Sequence, residues 1–329
     1  MSHGSTKTVI AAIIGNSIVT TAKFIGFFLS GSSALLAEAI HSLADTANQC
    51  LLYLGLKRAS RKADIHHHFG YGQEQYFWNL ISAVTIFFLG CIYTILHTVG
   101  QIQQNHQPEI SWIPFSIIGL AFMVEGFTFS IALKEFLSQC RSEGKTVREY
   151  FFTTSDPTTL AVLIEDSVAI LGLVLALIGI GLSMWTGYAI FDGIAAIAIG
   201  LLMGALALFL ASTNRKYLLN YSDDDVNEVA TRLWTSDAQV QAVPLVNSIV
   251  LSPRETLLMA EVELREEAMF ADMSEAEIQQ AIRFMRKLNA IRRSLEEDVI
   301  KLAPEAKYIF IEFASPPVKP DENKGGMQT

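Results

Sequence analysis

Six long apolar stretches constrain this sequence more than any other feature. Each has at least the roughly 20 residues that a helix needs to cross a bilayer. Backbone polar groups in lipid must be satisfied within the segment, so such stretches fold as membrane helices. They cover residues 9–29, 34–56, 77–101, 112–137, 159–185 and 188–212. The sequence therefore predicts a membrane α-helical bundle of six transmembrane helices.

The composition excludes several other classes of protein. The 329 residues are 51% hydrophobic and 17% charged, whereas soluble domains carry about 25% charged residues. This excludes a disordered chain and an ordinary soluble enzyme. The three cysteines, Cys50, Cys91 and Cys140, show no CxxC spacing, which argues against a disulfide framework or a thiolate metal cluster. No stretch is basic enough to indicate nucleic-acid binding.

Lysine and arginine are unevenly distributed between the loops. The loops after the second, fourth and sixth stretches hold ten basic residues, and the three intervening loops hold none. By the positive-inside rule, the basic loops and both the N- and C-termini are expected in the cytoplasm. Since no Arg- and Ser-rich leader precedes the first stretch, we expect a multi-pass protein of the cell (inner) membrane. The ten residues are Lys57, Arg58, Arg61, Lys62, Lys134, Arg141, Lys145, Arg148, Arg215 and Lys216.

The sequence pattern changes after Tyr221. Residues 221–329 hold 20 acidic and 12 basic residues, and their periodicity predicts a small cytoplasmic α+β domain of α-β-β-α-β order. Ser274 and Glu277 have the spacing of a capping box at the start of the second helix. The elements are expected at 222–234, 246–251, 256–264, 275–302 and 308–313. The predicted domains are a six-helix transmembrane domain at 1–220, the α+β domain at 221–315 and a disordered tail at 316–329.

One polar stripe follows the second apolar stretch. At 100° per residue, Glu38, His41, Asp45 and Asn48 fall within an arc of about 80°. His41 and Asp45 are i,i+4 neighbours, so an imidazole nitrogen and a carboxylate can reach one ion. Ionisable groups within a bilayer cost several kcal/mol, which makes each of them a candidate for function. The alternative is that these groups only pair with one another within the bundle.

A second pair of carboxylates, Glu165 and Asp166, lies inside the fifth apolar stretch. Together with the stripe they give an excess of negative charge, which a divalent cation would offset. Carboxylates with one imidazole suit Zn²⁺, Co²⁺, Fe²⁺ or Mn²⁺ better than Cu⁺, which prefers sulfur ligands. The side chains of Glu165 and Asp166 point about 100° apart, so both can face one ion only at its margins.

Three further ionisable residues lie in the apolar stretches. Glu125 could join a cation path or bond a neighbouring helix. Asp192 opens the sixth stretch, where capping or a supporting role is expected rather than ligation. Lys23 is close to the end of the first stretch, and we expect its ammonium to reach the interface.

The loop after the second stretch holds a histidine triplet. Asp64, His66, His67 and His68 form a tentative second metal site, with a solvated loop as the alternative. All seven histidines lie before residue 107 and all three cysteines before residue 141, so the C-terminal region at 221–329 holds neither His nor Cys.

Four motifs in chain order resemble the cation diffusion facilitator (cation efflux) family, and within it the branch typified by zinc transporter nine. They are EAIHSLADTANQ at 38–49, HFGYG at 68–72, EGFTFSIALKE at 125–135 and DPTTLAVLIEDSVAILG at 156–172. The resemblance covers residues 8–315. It implies a homodimer in the lipid bilayer that exports a divalent cation, with H⁺ as the counter-ion.

The resemblance also assigns residues, and two departures from the family pattern follow. His41, Asp45 and Asp166 match three ligands of the family's intramembrane site. The common zinc pattern has a histidine where this chain has Val162, and Glu165 is the natural replacement. The resemblance therefore implies a transport metal site of His41, Asp45, Glu165 and Asp166. In the loop, the family spacing DxxHxxxH begins at Asp64 and ends on Tyr71 instead of a histidine, which weakens the second site.

The predicted function is proton-coupled antiport of Zn²⁺ out of the cytoplasm by alternating access, carried out by a secondary active transporter and not an enzyme. A Mn²⁺ or Fe²⁺/Co²⁺ exporter of the same fold is the alternative that Val162 favours. A non-transporting metal sensor or scaffold is a third possibility.

Overall fold

A computed structural model gives the fold. It describes residues 3–104, 112–142, 144, 146–148, 150, 157–253, 255–271 and 273–313. The predicted disordered tail at 316–329 lies outside these residues.

The apolar stretches form long helices. Four described helices are long and apolar enough to cross a membrane: α3, α4, residues 162–186 of α5, and α6. The first two stretches also fold as helices, of 28 and 27 residues, and their crossing of the bilayer stays a prediction. The helices are α1 (His3–Ser30), α2 (Ser33–Ala59), α3 (Glu74–Gln103), α4 (Ile113–Ser142), α5 (Pro157–Thr186) and α6 (Ile190–Leu218).

Small side chains let the helices pack closely around α6. Gly204 lies next to the Cys91 thiol of α3, where a Cβ would be 2.8 Å from Sγ. A Cβ at Gly90 of α3 would overlap the side chain of Met203 in the same way. Residues 86–93 of α3 are π-helical, a wider turn that places Gly90 and Cys91 at this contact. The core continues into α2, α4 and α5, where Leu35, Ile118 and Leu173 are fully or almost fully buried.

Large apolar side chains cover the outside of the helices. Phe28, Phe88, Phe127 and Leu208 are each at least 60% exposed. Soluble proteins rarely expose apolar surface on this scale, so this exterior is the one that a bilayer would solvate.

The C-terminal region contains helices and one two-stranded antiparallel sheet. The elements are α7 (Asp224–Thr235), β1 (Val240–Ser252), β2 (Glu255–Leu264), α8 (Glu266–Phe270) and α9 (Glu275–Leu302). The Asp223 carboxylate caps α7 by accepting from Val226 N at 3.1 Å. The predicted capping box of Ser274 and Glu277 is confirmed at the start of α9.

The predicted last strand is wrong. Residues 308–313 are in no strand, and the sheet of the described residues consists of β1 and β2. Tyr308 and Phe310 are 87% and 67% exposed. Alternation specifies a strand only where a neighbouring strand takes its backbone hydrogen bonds and one face is buried. Among the described residues, 308–313 have no partner strand, and Ile309 and Ile311 on their inner face are only half-buried.

The Cα positions cluster into two compact units. One is Met1–Trp234 with Pro244–Glu261, and the other is Thr235–Val243 with Val262–Thr329. The domain boundaries at 220 and 315 stay predictions.

Candidate metal-binding site

The polar stripe of α2 is buried in the helical unit. Ser32 begins the helix as its N-cap, accepting from Leu35 N at 3.1 Å. Two turns further on, His41 is 2% exposed and its Nε2 lies 3.3 Å from Oδ2 of Asp45. The i,i+4 spacing has therefore brought an imidazole and a carboxylate together, as the sequence predicts.

The carboxylates of α5 face this pair. Glu165 Oε1 accepts a hydrogen bond from Asn48 Nδ2 at 3.1 Å, so it is tied to the same face of α2. Glu165 interacts electrostatically with Asp45 and His41, and Asp166 interacts with His41 and Glu165. All four predicted ligands therefore lie within electrostatic reach of one another, on two neighbouring helices.

The four side chains are not arranged as a complete set of metal ligands in the structure. Among the residues that the structure describes, no three or more His, Cys, Asp or Glu side chains are gathered tightly enough to hold one ion. Glu165 Oε1 already accepts from Asn48, and Asp45 Oδ2 lies 3.3 Å from His41 Nε2, which is buried without a hydrogen-bond partner. Ion binding through Glu165 Oε1 would require its hydrogen bond from Asn48 to be exchanged for a bond to the metal, and the four-residue site stays a prediction.

A third helix orients the amide of Asn48. Ser82 Oγ of α3 donates to Asn48 Oδ1 at 2.8 Å, which leaves the amide nitrogen of Asn48 to donate to Glu165. Outer groups of this kind fix the rotamers of ligands and tune metal affinity. The sequence predicts Asn48 on the polar face of α2. The role of Ser82 was missed because serine is common in membrane helices as a packing residue.

The prediction for Lys23 is wrong. Its side chain is fully buried and does not reach the interface. Nζ donates to Glu38 Oε2 at 2.9 Å, to Ser42 Oγ at 2.8 Å and to Glu125 Oε1 at 2.7 Å. Two carboxylates within hydrogen-bond distance stabilise the ammonium better than a distant interface does. Glu125 thus bonds a neighbouring helix, one of its two predicted roles.

A repeat of polar residues on α1 could have revealed this burial. Asn16, Thr20 and Lys23 recur at i, i+4 and i+7, the spacing of one helix face. Thr20 Oγ1 lies 3.4 Å from Thr46 Oγ1 of α2, so that face is turned toward α2.

Asp192 has the supporting role expected of it. It is 3% exposed, and its carboxylate accepts from Ser32 Oγ at 2.6 Å and from the backbone nitrogens of Ser33 and Ala34. An acidic residue of α6 therefore caps α2, the helix that carries His41 and Asp45. Anions at a helix N-terminus are stabilised by its unpaired N–H groups and dipole.

The tentative second site has one close pair. In the loop between α2 and α3, Asp64 Oδ1 lies 3.3 Å from His67 Nδ1. His66 contributes its backbone N–H to the same carboxylate. Tyr71 OH donates to Asp64 Oδ2 at 2.6 Å, so the residue that replaces the family histidine occupies a carboxylate oxygen. This hydrogen bond, with those from the backbone of His66 and His67, holds the pKa of the Asp64 carboxyl well below its usual range.

Comparison with known proteins identifies the family. The family model described as Cation efflux transmembrane domain matches residues 9–219. The chain therefore belongs to the cation efflux family, as the motifs indicate.

The names of the similar proteins refer to metal tolerance or to zinc antiport. Metal tolerance protein C4 of Arabidopsis thaliana is 34% identical over 79% of this chain and 57% of its own length. The mitochondrial proton-coupled zinc antiporter SLC30A9 of Xenopus laevis is 33% identical over 79% of this chain and 47% of its own. Its Homo sapiens counterpart is 32% identical over 79% of this chain and 46% of its own. The chain spans about half the length of these curated relatives.

Proposed function

We propose that this protein exports Zn²⁺ from the cytoplasm in exchange for protons. The observation that supports this most is the buried His41–Asp45 pair of α2, opposite Glu165 and Asp166 of α5. Buried ionisable groups in a membrane helix are costly and mark ion paths. The names of the relatives, a proton-coupled zinc antiporter among them, support the same ion and counter-ion.

The proposed site makes proton binding and metal binding exclusive. A metal ligand must be deprotonated, so an ion that binds His41, Asp45, Glu165 and Asp166 displaces their protons. On the cytoplasmic side the ion displaces protons, and on the other side protons displace the ion. If the site opens to one side at a time, each cycle exchanges metal for protons.

Position 162 favours a second candidate substrate. Val162 offers no ligand one turn before Asp166, so the site has one imidazole and three carboxylates. Oxygen-rich sites suit Mn²⁺ and Fe²⁺ relative to Zn²⁺ more than imidazole-rich sites do. Export of Mn²⁺ or Fe²⁺/Co²⁺ is therefore the alternative.

We propose that both termini lie in the cytoplasm, an orientation that the basic loops support through the positive-inside rule. We propose a cell (inner) membrane location, and the mitochondrial relatives make an organelle membrane the alternative. A homodimer is proposed from the family resemblance, with one ion path in each protomer.

The experiment is metal uptake into proteoliposomes that hold the purified full chain. Zn²⁺, Mn²⁺, Co²⁺ and Fe²⁺ are compared with and without an imposed pH gradient. We expect Zn²⁺ uptake that increases with the gradient and is lost in Asp45→Ala. Glu135→Ala, which removes an exposed carboxylate of α4 outside the site, is the control and should retain uptake.

Two results would contradict the proposal. Preferential movement of Mn²⁺ or Fe²⁺ would replace Zn²⁺ by the alternative substrate. Absence of any metal flux under every gradient would leave a sensor or scaffold as the better account.

A further inference from the structure

Lys23 joins three helices at one buried point. An ammonium group has three N–H donors, and the three acceptors within 2.9 Å of Lys23 Nζ are Glu38 and Ser42 of α2 and Glu125 of α4. The charge is thus held on α1 with all of its donors used, away from water.

The contacts of Lys23 on α2 surround the metal-site residue of that helix. Glu38 precedes His41 by three residues, and Ser42 follows it directly. On a helix, residues three or four apart are neighbours on one face. Lys23 therefore holds α2 at the turn from which the imidazole of His41 projects.

Glu38 also lies against the helix that supplies the opposite carboxylates. At Gly172 of α5, an added Cβ would overlap Glu38 Oε1. Gly172 thus lets the α5 backbone approach Glu38 about two turns from Asp166 and Glu165. Glu38 sits between the ammonium of α1 and the backbone of α5, so its position affects the spacing of α2 and α5.

The charge balance indicates a purpose beyond packing. Glu38 Oε1 and Glu125 Oε2 are both buried without a hydrogen-bond partner. Two carboxylates beside one ammonium leave a net negative charge, and buried ion pairs are a poor source of stability compared with apolar side chains. Lys23 also interacts electrostatically with Asp45, so the cluster is coupled to the metal-site face.

We propose that Lys23 is a positioning residue for the metal site. Acting through Glu38 and Ser42, it holds the His41 turn of α2 at the distance from α5 at which one ion can contact both helices. It does not contact the ion. This inference rests on the proposed function, since it assumes that His41 and Asp45 bind the transported metal.

The test is a Co²⁺ titration of the purified full chain in detergent, followed by visible absorption, which reports both affinity and ligand geometry. Lys23→Met alone leaves the buried Glu38 and the half-buried Glu125 without a cation and is expected to destabilise the fold. The charge-matched variant Lys23→Met/Glu125→Gln keeps the net charge of the cluster. We expect it to be folded, to bind Co²⁺ about 10-fold or more weakly, by analogy with loss of supporting groups at metal sites, and to have a changed spectrum.

Two neutral variants complete the design. Ser42→Ala removes one Lys23 contact without changing charge, and a weaker loss of Co²⁺ affinity with a changed spectrum is expected. Thr20→Val removes the 3.4 Å contact between Thr20 and Thr46, which also joins α1 to α2. It is the matched control, and its Co²⁺ affinity and spectrum should equal those of the wild type.

The outcomes separate this inference from the proposed function. Wild-type affinity and spectrum in both the charge-matched variant and Ser42→Ala would overturn the positioning role. Asp45→Ala should abolish Co²⁺ binding. If Asp45→Ala binds Co²⁺ as the wild type does, the proposed site itself is wrong, and the role of Lys23 is wrong with it.

Discussion

At the residue scale, the choice of metal depends on position 162. Helical geometry places residue 162 between Glu165 and Asp166 in angle, one turn before Asp166. A histidine there would add a second imidazole to the proposed site, whereas Val162 adds no ligand. Imidazole suits Zn²⁺, and carboxylate oxygens suit Mn²⁺, so this residue should affect selectivity.

Val162→His is expected to raise the ratio of Zn²⁺ to Mn²⁺ uptake by about 10-fold or more, since a direct ligand should affect metal affinity at least as much as an outer-shell partner does. Competitive uptake of the two metals into proteoliposomes measures this ratio. Leu171→His is the control, since it is similarly exposed and lies on the opposite side of α5. An equal effect of both substitutions would show that position 162 does not face the ion.

Local spacing predicts some residues of the site and not others. The His41–Asp45 contact follows from an i,i+4 spacing within one helix, so the sequence was sufficient. The burial of Lys23 depends on Glu38 and Glu125 arriving from two other helices, and Ser82 likewise reaches Asn48 from α3. Such contacts between helices are set by tertiary packing, which periodicity does not specify.

At the scale of elements, the start of α2 depends on a residue from another helix. Asp192 of α6 accepts hydrogen bonds from Ser32, Ser33 and Ala34. These are groups that a helix N-terminus leaves unpaired. The cap therefore fixes the N-terminal end of α2 against α6, at the opposite end from the loop to α3.

Asp192→Asn should lower the free energy of unfolding by about 1–2 kcal/mol, because a charged cap is replaced by a neutral one with a single acceptor oxygen. Thermal unfolding of the detergent-solubilised chain measures the loss. Metal selectivity should be unaffected, since Asp192 lies outside the proposed ligands. A change in selectivity without loss of stability would contradict the capping role.

The loop between α2 and α3 gives a prediction about pH. The lowered pKa of Asp64 means that its contacts are present above the usual aspartate range and are lost as the pH falls through the lowered value. Tyr71 donates the hydrogen bond that contributes most to this shift. Tyr71→Phe should therefore raise the pKa of Asp64 and move the loss of these contacts to higher pH.

A ¹³C NMR titration of aspartate carboxyls, with Asp64→Asn for assignment, measures this change. An unchanged Asp64 titration in Tyr71→Phe would show that the hydroxyl does not hold the carboxylate. The hydrogen bond of the wild type would then be absent in solution.

Elements whose starts are marked by nearby residues could be predicted from the sequence, whereas the last strand was predicted wrongly. Helix α9 has its own capping box, and α7 has its own acidic cap, so their starts could be located from the sequence. A strand at 308–313 would need a partner strand, and the described chain provides no pairing for it. Alternation alone therefore gave a wrong element.

At the scale of the whole molecule, one environment explains both the apolar exterior and the buried polar centre. The helices expose large apolar side chains outward, while Lys23, Glu38, His41, Glu125 and Glu165 of α1, α2, α4 and α5 contact polar groups of neighbouring helices or turns inside. A bilayer is the solvent that stabilises this arrangement, because water would favour the reverse. The number of spans, the orientation and the dimer depend on the membrane and on a second chain, and they stay proposals.

The most direct test of the central claim is X-ray absorption spectroscopy of the purified protein loaded with one equivalent of Zn²⁺. We predict a first shell of nitrogen and oxygen at about 2.0–2.2 Å, with the outer-shell scattering of one imidazole, His41. The signal should be lost in Asp45→Ala. Two or more imidazoles, as the loop histidines would supply, or sulfur at about 2.3 Å would contradict a site built from α2 and α5.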